Sequence, residues 1–333
     1  MMEAQNLVSV IVSVYNIESR IRWCLESLSA QTYQNLEILL VDDGSTDGSG
    51  RLCDEFAARD SRVSVIHQEH GGPWTARNRG LADSKGNYVI FPDGDDYFHK
   101  DYIRLLYEAI HDGGKCYPMA YCDIRKVETN DEDTRSDSHP FFEELDQKTL
   151  LNKVLYYPSC GYSIYGGCWN KLFRRSALPN PFQKEYLLSQ DFDTNLRVIF
   201  NIDRAVYVHK VLYYWVQWPR QNTRSRDSLL IRDECRSRIY FDNLQALPPR
   251  LSVWRHCLLV NLYRRLIVWK EDAKGTERYK TVLGKIRQFE RKTIYELLFC
   301  RRVRFSRKVR ILLSLHAPFL LGLFGREILI ERA

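Results

Sequence analysis

Hydrophobic positions fall into short continuous runs in the first part of this chain and into helical spacing in the last third. Val8-Ser9-Val10-Ile11-Val12-Ser13-Val14, Leu36-Glu37-Ile38-Leu39-Leu40-Val41 and Asn87-Tyr88-Val89-Ile90-Phe91 are β-branched or aliphatic runs of strand length. Such runs suit strands covered on both faces. Helical spacing follows the first two, over Ile21 to Leu28 and through Leu52, Phe56 and Ala57. The same reading predicts helices over residues 101–110, 148–156 and 191–200, and strands over 117–127, 169–173, 205–209 and 211–215. Residues 129–140 are polar and read as a surface loop. From Ser228 onward the helical period dominates, broken at Leu247-Pro248-Pro249. Alternating strands and helices predict an α/β fold over residues 1–227, with a helical appendage over 228–333.

The strand ends carry the chemistry. The third run stops at Pro92-Asp93-Gly94-Asp95-Asp96, three carboxylates within four residues. Like charges at this spacing raise one another's pKa unless a hard cation such as Mg²⁺ or Mn²⁺ neutralises them. A solvated turn is the competing reading, since Asp and Gly are common turn residues. The second run ends in Asp42-Asp43-Gly44-Ser45-Thr46-Asp47, and the first in Tyr15-Asn16. Open α/β sheets bind ligands at the carboxyl ends of their strands, so these turns are expected to meet in one crevice.

In order and spacing, Ser9–Asn16, Val41–Asp47, Ala76-Arg77-Asn78-Arg79-Gly80-Leu81 and Phe91–Asp96 resemble the signatures of family 2 glycosyltransferases. Cys168-Trp169-Asn170-Lys171-Leu172-Phe173 and Ser189-Gln190-Asp191-Phe192-Asp193 are similar to that family's acceptor-side segments. The resemblance implies a GT-A type, Rossmann-like mixed sheet flanked by helices. It implies inverting transfer from a UDP-sugar to a hydroxyl of a glycan or lipid-linked glycan, in cell-surface polysaccharide synthesis. Ser13, Tyr15, Asp42, Arg77, Asp93 and Asp95 then fall on the donor side. Asp42 would accept from the pyrimidine N–H, Tyr15 would stack on the base, Asp93 would contact the ribose or the metal, and Asp95 would bridge the diphosphate through Mn²⁺ or Mg²⁺. Arg77 would either face the phosphates or pair with a neighbouring aspartate.

A sugar hydroxyl gains roughly 10²–10⁴-fold from a positioned proton acceptor, and the resemblance implies that Asp191, matching the acidic residue that opens the family's acceptor-side helix, is that base. Trp169 and Lys171 would line the acceptor pocket, and Arg220 and Arg224 would lie on a loop closing over the diphosphate. Three departures stand out: His70-Gly71-Gly72 where relatives have Asn-Gly-Gly, Gln190 where many have Glu, and Arg220 to Ser225 in place of a Ser-Ile-Ser-like loop. A sugar nucleotidyltransferase loop and the Gln-x-x-Arg-Trp of processive synthases are absent, whereas a noncatalytic nucleotide-sugar-binding scaffold stays open.

Charge changes the picture at the C-terminal end. The 333-residue chain carries a net +7, yet residues 250–333 hold 20 Lys and Arg against 7 Asp and Glu, leaving −6 for residues 1–249. A basic appendage calls for a polyanionic neighbour, nucleic acid or an anionic membrane. The polybasic segment from Arg301 to Arg310 runs into an apolar stretch from Ile311 to Phe324 interrupted by His316, Pro318 and Gly322. That stretch is too broken for a span of about 20 apolar residues. The combination favours a lipid surface over nucleic acid; a helix docked on the protein's own core is the alternative. Nine scattered cysteines without a CxxC pair and an N-terminus without a basic n-region predict reduced thiols and a cytoplasmic, membrane-peripheral protein. Self-association stays open.

Overall fold

The computed structural model describes residues 6–128, 139–155, 167–178, 182–183, 186, 189–218 and 226–316. These form two compact units, one of residues 1–184 and 190–219, the other of 185–189 and 220–333. Most of the expected loop at 129–140, together with Arg220, Arg224 and the stretch beyond His316, lies outside the described residues.

The first unit is built on a nine-stranded sheet. Its strands are β1 Val8–Val14, β2 Leu36–Asp42, β3 Val63–His67, β4 Tyr88–Ile90, β5 Tyr97–Phe98, β6 Met119–Val127, β7 Phe142–Asp146, β8 Lys171–Arg174 and β9 Arg204–Val216. The order is β3-β2-β1-β4-β8-β6-β9-β5, with β7 paired to β9. β3, β2, β1 and β4 run parallel, and β8 is antiparallel to both β4 and β6. The flanking helices are α1 Ile21–Ser29, α2 Ser49–Ala57, α3 Pro73–Asp83, α4 Tyr102–Ile110, α5 Gln147–Leu155 and α6 Gln190–Asn201. β1 and β2 are buried almost throughout, as runs without alternation require when helices cover both faces.

Three differences from the sequence reading have physical causes. The helix α3 shows no large apolar stripe, because its buried positions are Ala76, Arg77 and Gly80. Gly80 lies so close to the sheet that a Cβ there would come within 2.4 Å of Ile11. The two strands expected over 205–215 are one strand, β9. Its polar His209-Lys210 interruption is absorbed where the register with β6 shifts around Asp123. Trp169, expected in a strand, sits in the 3₁₀ turn Cys168–Asn170 ahead of β8. That turn is pinned by Asn170 Nδ2 donating to the Cys122 carbonyl at 2.8 Å and by Tyr102 donating to the Trp169 carbonyl.

The second unit holds α7 Arg226–Ala246, α8 Arg255–Ala273, α9 Tyr279–Phe299 and α10 Phe305–His316. Each of α7, α9 and α10 packs on α8, which buries Leu258, Leu262, Tyr263, Leu266 and Trp269. The Pro248-Pro249 pair ends α7 and opens a 3₁₀ segment, Pro249–Trp254. Ile311 and Leu315, one turn apart on α10, are buried. The start of the apolar stretch is therefore a helix docked on its own unit. No helix among the described residues is long and apolar enough to cross a membrane.

Candidate active site

The ends of β1 and β2 are stitched together by side chains. Asn16, in the left-handed region at φ 50, accepts the Thr46 N–H at 2.8 Å, and Ser49 Oγ accepts the Ile17 N–H at 2.9 Å. Asp42, at the tip of β2, accepts from Ser45 N–H at 3.1 Å and lies 2.9 Å from His67 Nδ1. Burial raises its pKa, but the bonds from Ser45 and His67 outweigh that and hold it below the usual carboxylate range. His67, at the tip of β3, also meets Asp54 at 3.1 Å. Its bonds to Asp42 and Asp54 raise it above the ordinary imidazole value.

Asp43, one residue on, has a different task. It accepts from Gln68 Nε2 at 2.6 Å and from the N–H groups of Gly71 at 3.0 Å and Gly72 at 2.8 Å, and it sits 2.9 Å from His70 Nδ1. These bonds fix the segment that leads into α3. His70 is thereby set against Tyr15, their rings stacked at 4.0 Å.

The second acidic turn divides likewise. Asp96 is buried and accepts from the Tyr213 hydroxyl at 2.7 Å and the Val216 N–H at 2.8 Å, which bolts the turn to β9. Burial, with Asp95 and Asp93 nearby, pushes its carboxyl well up. Asp95 keeps its carboxylate at the rim, 3.7 Å from Arg20, while its carbonyl accepts from Trp218 Nε1 at 2.7 Å. Arg20 lies over the Trp218 ring. Ser13 forms a bridge with Asp93, which aligns the end of β1 with this turn.

Arg77 unites the turn with α6. Its side chain is 9% exposed and spans from Asp93 at 2.8 Å to Asp191 at 2.5 Å. Against the penalty of burial, the Asp191 and Asp93 carboxylates raise Arg77 above its ordinary value. Burial, with Asp191 and Asp95 nearby, pushes Asp93 up to about 7 despite Arg77. Asp191 opens α6 beside Gly167, where a Cβ would approach Asp191 Oδ2 to 2.6 Å and the Trp169 ring to 2.1 Å. Only glycine fits there.

Two expected acceptor residues are placed otherwise. Trp169 is buried and its ring packs on Tyr213 at 4.5 Å. Lys171 is fully buried, donating to the Gly167 carbonyl at 2.9 Å and Asn170 Oδ1 at 2.8 Å, and burial draws it down to about 8. Neither offers an open face to an acceptor; both support the turn on which Asp191 rests. Sequence reasoning overlooked His67, Arg20 and Trp218, and noted His70 only as a departure from the family pattern. The strand-end rule applied to β3 would have found His67, whereas nothing local marks Trp218.

The donor set suits a hard cation only in part. Asp93 and Asp95 supply carboxylate oxygens, the ligands that Mg²⁺ and Mn²⁺ take. No group of three His, Cys, Asp or Glu able to hold a metal occurs among the described residues. Two carboxylates fit a cation that takes its remaining ligands from elsewhere, as Mg²⁺ commonly does with one or two carboxylates.

Comparison with known proteins bears on this arrangement. The chain is 50% identical over 103 residues to glycosyltransferase GlyA of Streptococcus pneumoniae serotype 4, a match covering 31% of this chain and 15% of GlyA. It is 32% identical over 214 residues to putative glycosyltransferase EpsH of Bacillus subtilis, covering 62% of this chain and 60% of EpsH. The match thus spans less than two thirds of either relative. The fold is similar to that of S. aureus TarS 1–349, with a TM-score of 0.66 at 22% identity, over 92% of this chain and 86% of that one. Residues 9–178 match the family described as Glycosyl transferase family 2. With that match covering half of its length, the chain belongs to glycosyltransferase family 2.

Proposed function

We propose that the protein transfers a sugar from a UDP-sugar to a hydroxyl of a glycan or lipid-linked glycan, with inversion and with the help of Mn²⁺ or Mg²⁺. The observation that carries this reading is the Arg77 bridge. It brings Asp93, on the acidic turn, and Asp191, at the head of α6, to one guanidinium across 98 residues of sequence. Asp42, with Tyr15 and His70 beside it, would hold the base. The cation, held by Asp93 and Asp95, would neutralise charge developing on the leaving diphosphate.

Asp191 would act as the base. Its Oδ1 is fixed by Arg77, and its Oδ2 takes the acceptor's proton as the hydroxyl attacks the anomeric carbon opposite the leaving UDP. One base and one displacement invert the centre. Proteins of similar fold support the ligand classes: TarS 1–349 is solved in complex with UDP-GlcNAc, and the Pyrobaculum calidifontis mannosyltransferase PcManGT with GDP-Man and Mn²⁺. Cholesterol galactosyltransferase of Borreliella burgdorferi, 24% identical over 267 residues, names a lipid acceptor. We place the enzyme on the cytoplasmic face of a membrane, on the strength of the excess of basic residues beyond residue 249.

UDP release from a panel of UDP-sugars, with Mn²⁺ and with chelator, tests the activity. Asp191→Asn should lower kcat by about 10²–10⁴-fold and leave UDP affinity near wild type. Metal-independent release would overturn the role of the cation, and no release from any UDP-sugar would favour the scaffold reading. Lost UDP affinity with ordinary turnover would move Asp191 to the donor side.

A further inference from the structure

We infer that the bend between α9 and α10 is the membrane-docking element of the second unit, and that its occupant is an anionic lipid surface. This rests on the peripheral-membrane reading above and relocates it, because the start of the apolar stretch that suggested lipid contact is turned inward at Ile311 and Leu315. Seven large hydrophobic side chains are exposed among the described residues, and four of them fall within residues 295–305: Tyr295 at 71%, Leu298 at 41%, Phe299 at 79% and Phe305 at 80%.

Tyr295, Leu298 and Phe299 are spaced i, i+3, i+4, so they share one face of the last turns of α9. The opposite side of that helix is anchored, since Leu297 is buried. Val303, buried inside the bend, donates its N–H to the Cys300 carbonyl at 3.2 Å and fixes the turn. Phe305 is thereby held outward at the start of α10. A folded chain that keeps two phenylalanines about four-fifths exposed on a fixed turn retains an apolar patch of the kind that marks interaction sites.

Charge selects the occupant. Arg301, Arg302 and Arg304 lie between the aromatic residues and are exposed, as is Arg307 on the next turn. The only acidic residue from 295 to 310 is Glu296, and it is paired with Arg255. Aromatic and leucine side chains beside arginines suit the boundary of an anionic leaflet, where apolar burial and electrostatic attraction act together. A nucleic acid would use the arginines and stack on the rings, but it would leave Leu298 without a function.

Flotation of the full-length protein with phosphatidylcholine vesicles, with and without phosphatidylglycerol, tests the assignment. The protein should bind the anionic vesicles at low salt and not the neutral ones. Phe299→Ser/Phe305→Ser and Arg301→Glu/Arg304→Glu should each weaken binding at least about tenfold, with unchanged circular dichroism and unchanged UDP release. Wild-type binding by both double variants would overturn the location and leave the peripheral reading to other residues. No binding by the full-length protein would overturn both. If the phenylalanine variant instead loses self-association or oligonucleotide binding while vesicles play no part, the face belongs to a second copy or to nucleic acid, and the inference falls.

Discussion

The two acidic turns are alike in sequence and opposite in their surroundings. After β2, Asp42 is held by a backbone N–H and an imidazole, contacts that favour its charged form. After β4, Asp93 and Asp95 sit where burial raises both, and Arg77, Arg20 and a backbone N–H at Asp95 do not offset it. The first turn is an anion already accommodated, suited to accepting hydrogen bonds from a neutral ring. The second is a carboxylate cluster whose two arginines leave burial uncompensated, suited to a further cation. In each turn one further carboxylate, Asp43 or Asp96, is consumed by the protein's own backbone and side chains.

The largest expected effect comes from breaking the second turn at its rim. Asp95→Ala should lower kcat/KM by about three orders of magnitude and leave the melting temperature near wild type, because its carboxylate's side-chain ion pair, with Arg20, is a distant one. Steady-state UDP release and thermal unfolding on the same sample read both quantities. Wild-type turnover at saturating Mn²⁺ would contradict the assignment.

Next comes the bridge between that turn and α6. Arg77→Met leaves two partly buried carboxylates without their cation, which costs about 3–5 kcal/mol in comparable buried pairs. Denaturant unfolding should show this loss in the midpoint, and Asp93→Asn in the same background should restore part of it. No loss would mean that the pairing is not maintained in solution.

Asp96→Ala and Asp43→Ala then compare the two structural carboxylates. Each removal strands buried or half-buried donors at about 1–3 kcal/mol per group. Asp96→Ala should destabilise without altering UDP affinity in the folded fraction. Asp43→Ala should also loosen the segment through His70, and therefore weaken UDP binding as read by calorimetry.

Smallest is the pH dependence of the first turn. His67 is raised from 6.5, so its contribution is full below that value and fades as pH rises through its folded pKa. Asp42 is lowered from 3.8, so its contribution is present above that value and is lost as pH falls through its folded pKa. The pair stabilises most between these limits. With His67 half exposed, the effect stays below about 1 kcal/mol. The melting-temperature gap between wild type and His67→Asn should be wider near about pH 5.5 than near about pH 8.5; an equal gap would remove the ion pair from the account.

The strands β2 and β4 and the acidic turns after them were legible because apolar runs that stop at carboxylates need no long-range information, whereas the short β5 and the β3 and β7 strands were not read. Which carboxylate serves the fold was not. Asp96 finds its partners at Tyr213 and Val216, and Asp43 at Gln68 and Gly72, and such pairings appear only once the sheet has formed. The helix α3 escaped because Ala76 and Gly80 give close packing without a hydrophobic stripe. Trp169 and Lys171 carried residue types that suit a sugar site, yet burial spends both on the turn beneath Asp191. In the second unit the helical period was plain, but which apolar residues face outward depended on how α10 docks.

Calorimetry of UDP with Mn²⁺ against wild type, Asp95→Ala and Asp96→Asn tests most directly the claim that Asp95, at the rim of the second turn, serves the donor while Asp96, bolted to β9, serves the fold. The account predicts that Asp95→Ala loses the Mn²⁺-dependent part of UDP affinity, while folded Asp96→Asn binds as wild type does. Equal loss in both variants, or full Mn²⁺-dependent affinity in Asp95→Ala, would contradict it.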